Sequence, residues 1–164
     1  DEVNALGIAA GEPTSFDNLE AMPLTELAFK EALRLKPPVP SMPRRAVRDF
    51  TFKGYAIPAG AMLVVNPLFT HHMPEIWPEP EKFDPLRFTE EAQRGRHRFA
   101  WVPFGGGAHK CIGMAFGKLE IKTVMHRLLS RYRLELPHPG YRPVYDWGGM
   151  PVPVDGLPLV LRPL

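Results

Sequence analysis

The chain has 164 residues, 45% hydrophobic and 23% charged, with a formal net charge of +2. That is enough for one domain with a core, and it argues against a disordered tail or a charge-driven nucleic-acid binder. One cysteine excludes an internal disulfide and fits a reducing compartment on the cytoplasmic side, while saying nothing of a membrane anchor.

Twenty prolines, well over twice the usual ~5%, demand long ordered loops between the regular elements. No apolar run is long enough to cross a bilayer, and no signal-peptide pattern opens the chain. Residues 1–7 read as the last turns of a helix with Gly7 as its stop, the mark of a piece of a longer protein. Residues 22–36 form a helix running from Pro23 to Leu35: proline suits the first turn, and Pro37-Pro38 ends it. Within 49–66 come short strands, Phe50-Thr51-Phe52 and Tyr55-Ala56-Ile57 around Lys53-Gly54, then Met62-Leu63-Val64-Val65 after a Pro58-Ala59-Gly60 turn. Residues 73–103 are a proline-rich meander without regular structure. Residues 104–113 are a glycine-rich loop, 113–133 a long helix, and 150–162 a β-hairpin with Asp155-Gly156 at its turn. No repeat or linker divides the chain, so it reads as a single domain.

The first helix carries charges where apolar residues belong. At 100° per residue Leu24, Leu27, Ala28 and Leu35 define its apolar stripe, with Glu31 near the centre and Arg34 at the edge. A solvated i,i+3 pair is one reading. Burial is the other, and it requires the two to pair, because an unpaired buried ion costs several kcal/mol. One carboxylate cannot satisfy five guanidinium donors, so burial also demands a further partner.

The loop Phe104-Gly105-Gly106-Gly107-Ala108-His109-Lys110-Cys111-Ile112-Gly113 holds the lone cysteine at the start of a helix. A helix N-terminus and free backbone N–H groups favour a negative sulfur there, and the glycines leave room for something large and flat. Such a sulfur can act as an axial ligand to haem iron. A small buried hydrophobe and a cysteine nucleophile are the competing readings. A zinc site lacks a second cysteine, and a phosphate loop would need Gly-Lys-Ser/Thr. His71, His72 and His97 read as surface or loop residues. Arg94, Arg96, Arg98, Lys110, Lys118 and Lys122 read as a solvated face or, functionally, as a docking surface for an acidic protein.

Three motifs in order resemble the cytochrome P-450 family of haem-thiolate monooxygenases. Glu31-Ala32-Leu33-Arg34 matches its E-x-x-R helix, Phe83-Asp84-Pro85-Leu86-Arg87-Phe88 its meander motif, and residues 104–113 its cysteine-loop pattern F-G-x-G-x-[HR]-x-C-x-G. The resemblance implies a mainly α fold with small β-sheets (α+β), of which this chain is the C-terminal part, the N-terminal half being absent. It implies haem b (iron protoporphyrin IX) with Cys111 as the iron's proximal ligand. Phe104 covers the thiolate side, Gly105 and Gly107 admit the macrocycle, and backbone N–H groups at Ile112 and Gly113 face the sulfur. His109 would pair with one propionate and Arg44 with the other, Arg45 being its rival. Glu31, Arg34 and Arg87 would form a buried triad that locks the meander to the helix. Val39, Met42 and Met150 would border the substrate.

The implied reaction inserts one oxygen atom from O2 into an apolar small-molecule substrate, with electrons from a ferredoxin-, flavodoxin- or reductase-type donor. A truncated non-catalytic remnant and a haem-thiolate isomerase or peroxygenase are the alternatives. The family's oxygen-activating helix has no counterpart here: Ala9-Ala10-Gly11-Glu12-Pro13-Thr14 is a superficial echo broken by Pro13. Those residues would belong to the missing N-terminal part.

Overall fold

The computed structural model describes residues 2–8 and 12–164. Two helices, α3 (Pro23–Leu35) and α6 (Met114–Leu129), pack against each other and carry the rest of the chain. Helix α3 starts at Pro23, whose missing N–H costs nothing there. Its next two amides, Leu24 N and Thr25 N, donate to the Glu2 carboxylate at 2.6 and 2.9 Å. A carboxylate from α1 (Glu2–Ala5) therefore satisfies and charge-matches the α3 N-terminus. At the other end Lys36 N closes on Ala32 O at 2.8 Å, and Pro37 stops the helix. Of the Ala9–Thr14 echo, residues 9–11 lie outside the described residues.

Four two-stranded antiparallel sheets surround the helices. Strand β1 (Met42–Arg45) pairs with β4 (Met62–Val65). Strands β2 (Phe50–Phe52) and β3 (Tyr55–Ile57) form a hairpin whose turn, Lys53-Gly54, has φ of 48° and 84°. Two consecutive left-handed residues match the twist of the strands they join. Strand β5 (Tyr132–Glu135) pairs with β8 (Val160–Pro163), and β6 (Tyr145–Asp146) with β7 (Val152–Pro153). Short helices α2 (Phe16–Glu20) and α4 (Pro67–Thr70) begin at Ser15 and Asn66, whose side chains accept from Asn18 N and Phe69 N. One apolar cluster joins Val3, Leu19 and Met22 to Leu119 and Leu129. Another joins Trp77, Phe88 and Ala100 to Leu27 and Trp101.

Four expectations are corrected. The 113–133 helix ends at Leu129, because Ser130 caps it and Tyr132 is drawn into the ladder with β8. The 150–162 hairpin does not form. Asp155-Gly156 does turn the chain, but Val152–Pro153 pairs back to β6 and Val160–Pro163 reaches across to β5. Pro153 and Pro158 offer no N–H to a ladder across that turn. The 73–103 meander contains a 3-10 turn (Pro85–Phe88) and one turn of helix, α5 (Glu90–Gln93), capped by Asp84 and Thr89. Leu24 is 56% exposed, whereas Glu31, Leu33 and Arg34 are buried. The inward face of α3 looks at the meander, which presents carbonyls to Arg34 beside the apolar cluster of Trp77 and Phe88 that takes Leu27.

Half of the supposed basic face is also spoken for. Lys122 is buried with its Nζ 3.1 Å from Glu26 Oε2. Lys118 lies 3.4 Å from both Glu20 and Glu26, and Lys30 lies 2.9 Å from Glu26. Arg96 is half-buried over the Trp77 ring. Burial alone would push the Glu26 carboxyl up, but hydrogen bonds and charge from Lys30 and Lys122 outweigh it and hold the group at about 2. A depressed folded-state value means that this stabilisation is complete above the ordinary value of 4.5 and is lost as pH falls toward about 2. Glu26→Gln is accordingly expected to lower the urea midpoint at neutral pH, with variant and wild type converging as the solution is acidified. A gap that stays constant from neutral pH down to about pH 3 would remove Glu26 as the source.

Candidate functional site

Behind the site stands a charge lock. Glu31 and Arg34 are fully buried. Arg34 Nε donates to Glu31 Oε2 at 2.7 Å and Nη2 to Oε1 at 2.9 Å, a fork-on-fork pair. The remaining donors go to backbone carbonyls: Nη1 to His71 at 2.7 Å, and Nη2 to Pro80 at 2.7 Å and Lys82 at 3.3 Å. Glu31 Oε1 also accepts from Asp84 N at 2.9 Å. Arg87 Nε lies 3.5 Å from Glu31 Oε1 without forming a hydrogen bond to it, while its two terminal nitrogens donate to Pro78 O and Glu79 O. One carboxylate and two guanidiniums thus fasten four meander residues (Pro78, Glu79, Pro80 and Lys82) through their carbonyls, where there is no ladder to do so.

Three residues that the sequence did not assign to the lock complete it. Trp77 is fully buried with two cations over its ring, Arg96 4.2 Å and Arg34 5.4 Å from the centroid. Arg96 Nη1 donates to Arg87 O at 2.9 Å, so it steadies the neighbouring arginine. His71 is fully buried, against the expectation of a surface residue, and its Nε2 accepts from Val102 N at 2.9 Å. Nothing periodic marks these three. The only local signal is the density of prolines around them, which forces their side chains to replace backbone ladders.

In front stands the cysteine loop. Phe104 packs edge-on against Trp101, ring centroids 6.1 Å apart, and against Phe29 at 6.5 Å. Gly105 and Gly107 both have φ of +73°, a conformation that a side chain strains. A Cβ on Gly105 would stand 3.7 Å from Met42 Sδ, and one on Gly106 would crowd Phe99 at 3.1 Å. Cys111 N donates to Phe104 O at 2.9 Å and closes the loop. Cys111 is free and exposed, and its Sγ lies 3.8 Å from where a Cβ of Gly113 would stand. Gly113 is the N-cap of α6 and offers no side-chain acceptor to the helix amides. A Cβ on Gly117, one turn further, would touch nothing within 4 Å. A soft, accessible sulfur beside a lane of glycines fits a flat macrocycle whose metal takes one axial ligand.

The other expected residues are less gathered. His109 ends a short 3-10 turn (Gly107–His109) and is exposed. Ile112 is exposed beside Cys111. Arg44 and Arg45 are exposed on β1; Arg44 donates to Pro43 O at 2.8 Å. Met42, on the same strand, is the one substrate-side candidate placed against the glycine loop. Val39 and Met150 are exposed.

A buried Glu–Arg lock stands behind a loop that presents one free, exposed sulfur. Comparison with known proteins gives the class. A family model described as Cytochrome P450 matches residues 2–154, and the chain belongs to the cytochrome P450 family. It is 50% identical over 152 residues to cytochrome P450 136 of Mycobacterium tuberculosis, covering 92% of this chain and 31% of that protein. It is 39% identical over 160 residues to taurochenodeoxycholic 6 alpha-hydroxylase of Sus scrofa, covering 97% and 29%. Retinoic acid bound cyanobacterial CYP120A1 superposes with a TM-score of 0.89 at 34% identity, over 99% of this chain and 37% of that one. The chain spans about a third of the length of the curated relatives it matches. Mixed helices and small sheets are the fold of these neighbours over the matched part.

Proposed function

We propose that the chain is the haem-binding, C-terminal part of a monooxygenase that inserts one oxygen atom from O2 into an apolar organic substrate. Haem b, when bound, supplies dioxygen activation at its iron. The protein's contribution is to hold that iron by the Cys111 sulfur. The N-terminal end of α6, uncapped by any side chain, favours negative charge on the sulfur. Phe104, edge-on against Trp101, would cover the thiolate side of the haem. His109 and Arg44 would pair with the propionates. Arg44 is preferred to Arg45 because it alternates onto the same strand face as Met42, whose sulfur abuts the glycine loop. A ferredoxin-, flavodoxin- or reductase-type donor would meet the exposed Arg94, Arg98 and Lys110, the cations that remain after Arg96, Lys118 and Lys122 are paired internally.

One observation carries this reading: an exposed, unbridged sulfur at the mouth of a loop closed by Cys111 N and Phe104 O. The test is the absorption spectrum of the full-length protein, reduced and treated with carbon monoxide. A thiolate-type Soret band is expected for the wild type and its complete loss for Cys111→Ala. A Cys111→Ala protein that keeps the band would end the assignment. Oxygen consumption that requires an electron donor separates a monooxygenase from a silent remnant or an isomerase.

A further inference from the structure

The lock and the cysteine loop are joined by one residue. The His71 carbonyl accepts from Arg34 Nη1 at 2.7 Å, and its ring Nε2 accepts from Val102 N at 2.9 Å. Val102 O in turn accepts from Gly105 N at 3.0 Å, and Phe104 O from Cys111 N at 2.9 Å. Four hydrogen bonds thus run from a fully buried ion pair to the backbone of the sulfur-bearing residue. His71 is the only one of these links made by a side chain to the loop segment, so it is the link that a substitution can remove.

The ring must be neutral to serve. An amide N–H can donate to Nε2 only if that nitrogen carries no proton, which places the hydrogen on Nδ1. Nδ1 has no partner among the described residues. The ring stands edge-on to Trp77, with centroids 6.5 Å apart. The charged groups that face it are the Arg34 guanidinium from α3 and its neighbour His72, neither of which welcomes a second positive charge. Burial and these two neighbours accordingly push the imidazole down to about 4, despite an opposing backbone interaction of the ring at Arg34.

We propose that His71 is a positioning residue for the cysteine ligand: held as the Nδ1–H tautomer, it fixes Val102 and thereby the stretch from Val102 to Cys111 relative to the Glu31–Arg34 lock. This rests on the reading of Cys111 as the haem ligand. Its consequence is specific: the residue touches neither the sulfur nor the cofactor cradle, yet it governs how uniformly the sulfur is presented.

The experiment uses the full-length, haem-loaded protein and compares wild type, His71→Gln, His71→Leu and Cys111→Ala. Glutamine can place an oxygen acceptor near the Nε2 position, whereas leucine leaves the Val102 amide buried without a partner. In His71→Leu, exchange protection at the Val102 amide is expected to fall roughly ten- to hundredfold. The thiolate-type carbonyl band should be partly replaced by a neutral-ligand form. Glutamine should restore both. A leucine variant with wild-type protection and an undivided band would overturn the proposal, as would a glutamine variant no better than leucine, which would reduce His71 to packing. If the leucine variant does not fold, nitrogen-15 NMR of the wild-type ring decides: the Nδ1–H tautomer supports the relay, and Nε2–H refutes it. Cys111→Ala tests the underlying ligand assignment separately, because its band is lost whatever His71 does.

Discussion

Glu31→Gln is expected to destabilise the protein by about 3–5 kcal/mol, the cost of removing one partner from a buried ion pair. The substitution keeps the side chain's shape, and the amide oxygen can still accept one bond from Arg34 or Asp84 N. What disappears is the one negative charge that, among the described residues, pairs with Arg34 and Arg87, in a cluster where Arg34 and Arg96 also share one indole. Seven backbone carbonyls accept from these arginines, but a carbonyl carries a partial charge and offsets only part of the repulsion. The measurement is the denaturant midpoint at fixed slope, with proteolysis of the 73–103 meander as a local readout. A midpoint within experimental scatter of wild type, with the meander still protected, would mean that the carbonyls alone fasten it.

Trp77→Ala should cost at least as much, about 3–5 kcal/mol from the cavity, with up to ~2 kcal/mol more from the lost cation–π contacts. The ring is fully buried, is tilted against Phe88 at 5.5 Å, and holds both Arg96 and Arg34 over it. Removing it leaves both cations without an aromatic face in a poorly hydrated space. Arg96→Ala, which deletes one cation and leaves the ring, should cost far less. A Trp77→Ala protein that unfolds no earlier than Arg96→Ala would show that the indole contributes neither core volume nor a face for the cations.

Glu31 and Arg34 could be read from the chain because charges in the middle of an apolar stripe are physically expensive and must be explained. The pairing was legible from three-residue spacing on a helix. The rest of Arg34's satisfaction was not, since its further acceptors are carbonyls of His71, Pro80 and Lys82, and every residue carries a carbonyl. Arg87 was legible through the meander motif, although it reaches Glu31 at 3.5 Å while giving its hydrogen bonds to Pro78 and Glu79. The burial of His71 was not legible, because the His71-His72 pair before a proline-rich loop has no pattern to betray it. The tail was misread for a different reason. Asp155-Gly156 is a sound turn, but a turn says where the chain reverses and not which strands its flanks will join.

By itself the sequence determined the elements held by short-range rules: the proline-started helix α3, the Lys53-Gly54 hairpin, and the glycine loop that presents Cys111. Each depends on φ preferences and neighbours within a few residues, and these are written locally. Tertiary structure alone decided that β5 takes β8 and β6 takes β7, that Lys122 is buried on Glu26, and that His71 ties Arg34 to Val102. Those choices compare the free energies of contacts between distant segments, where many pairings satisfy the same hydrogen bonds and packing selects one.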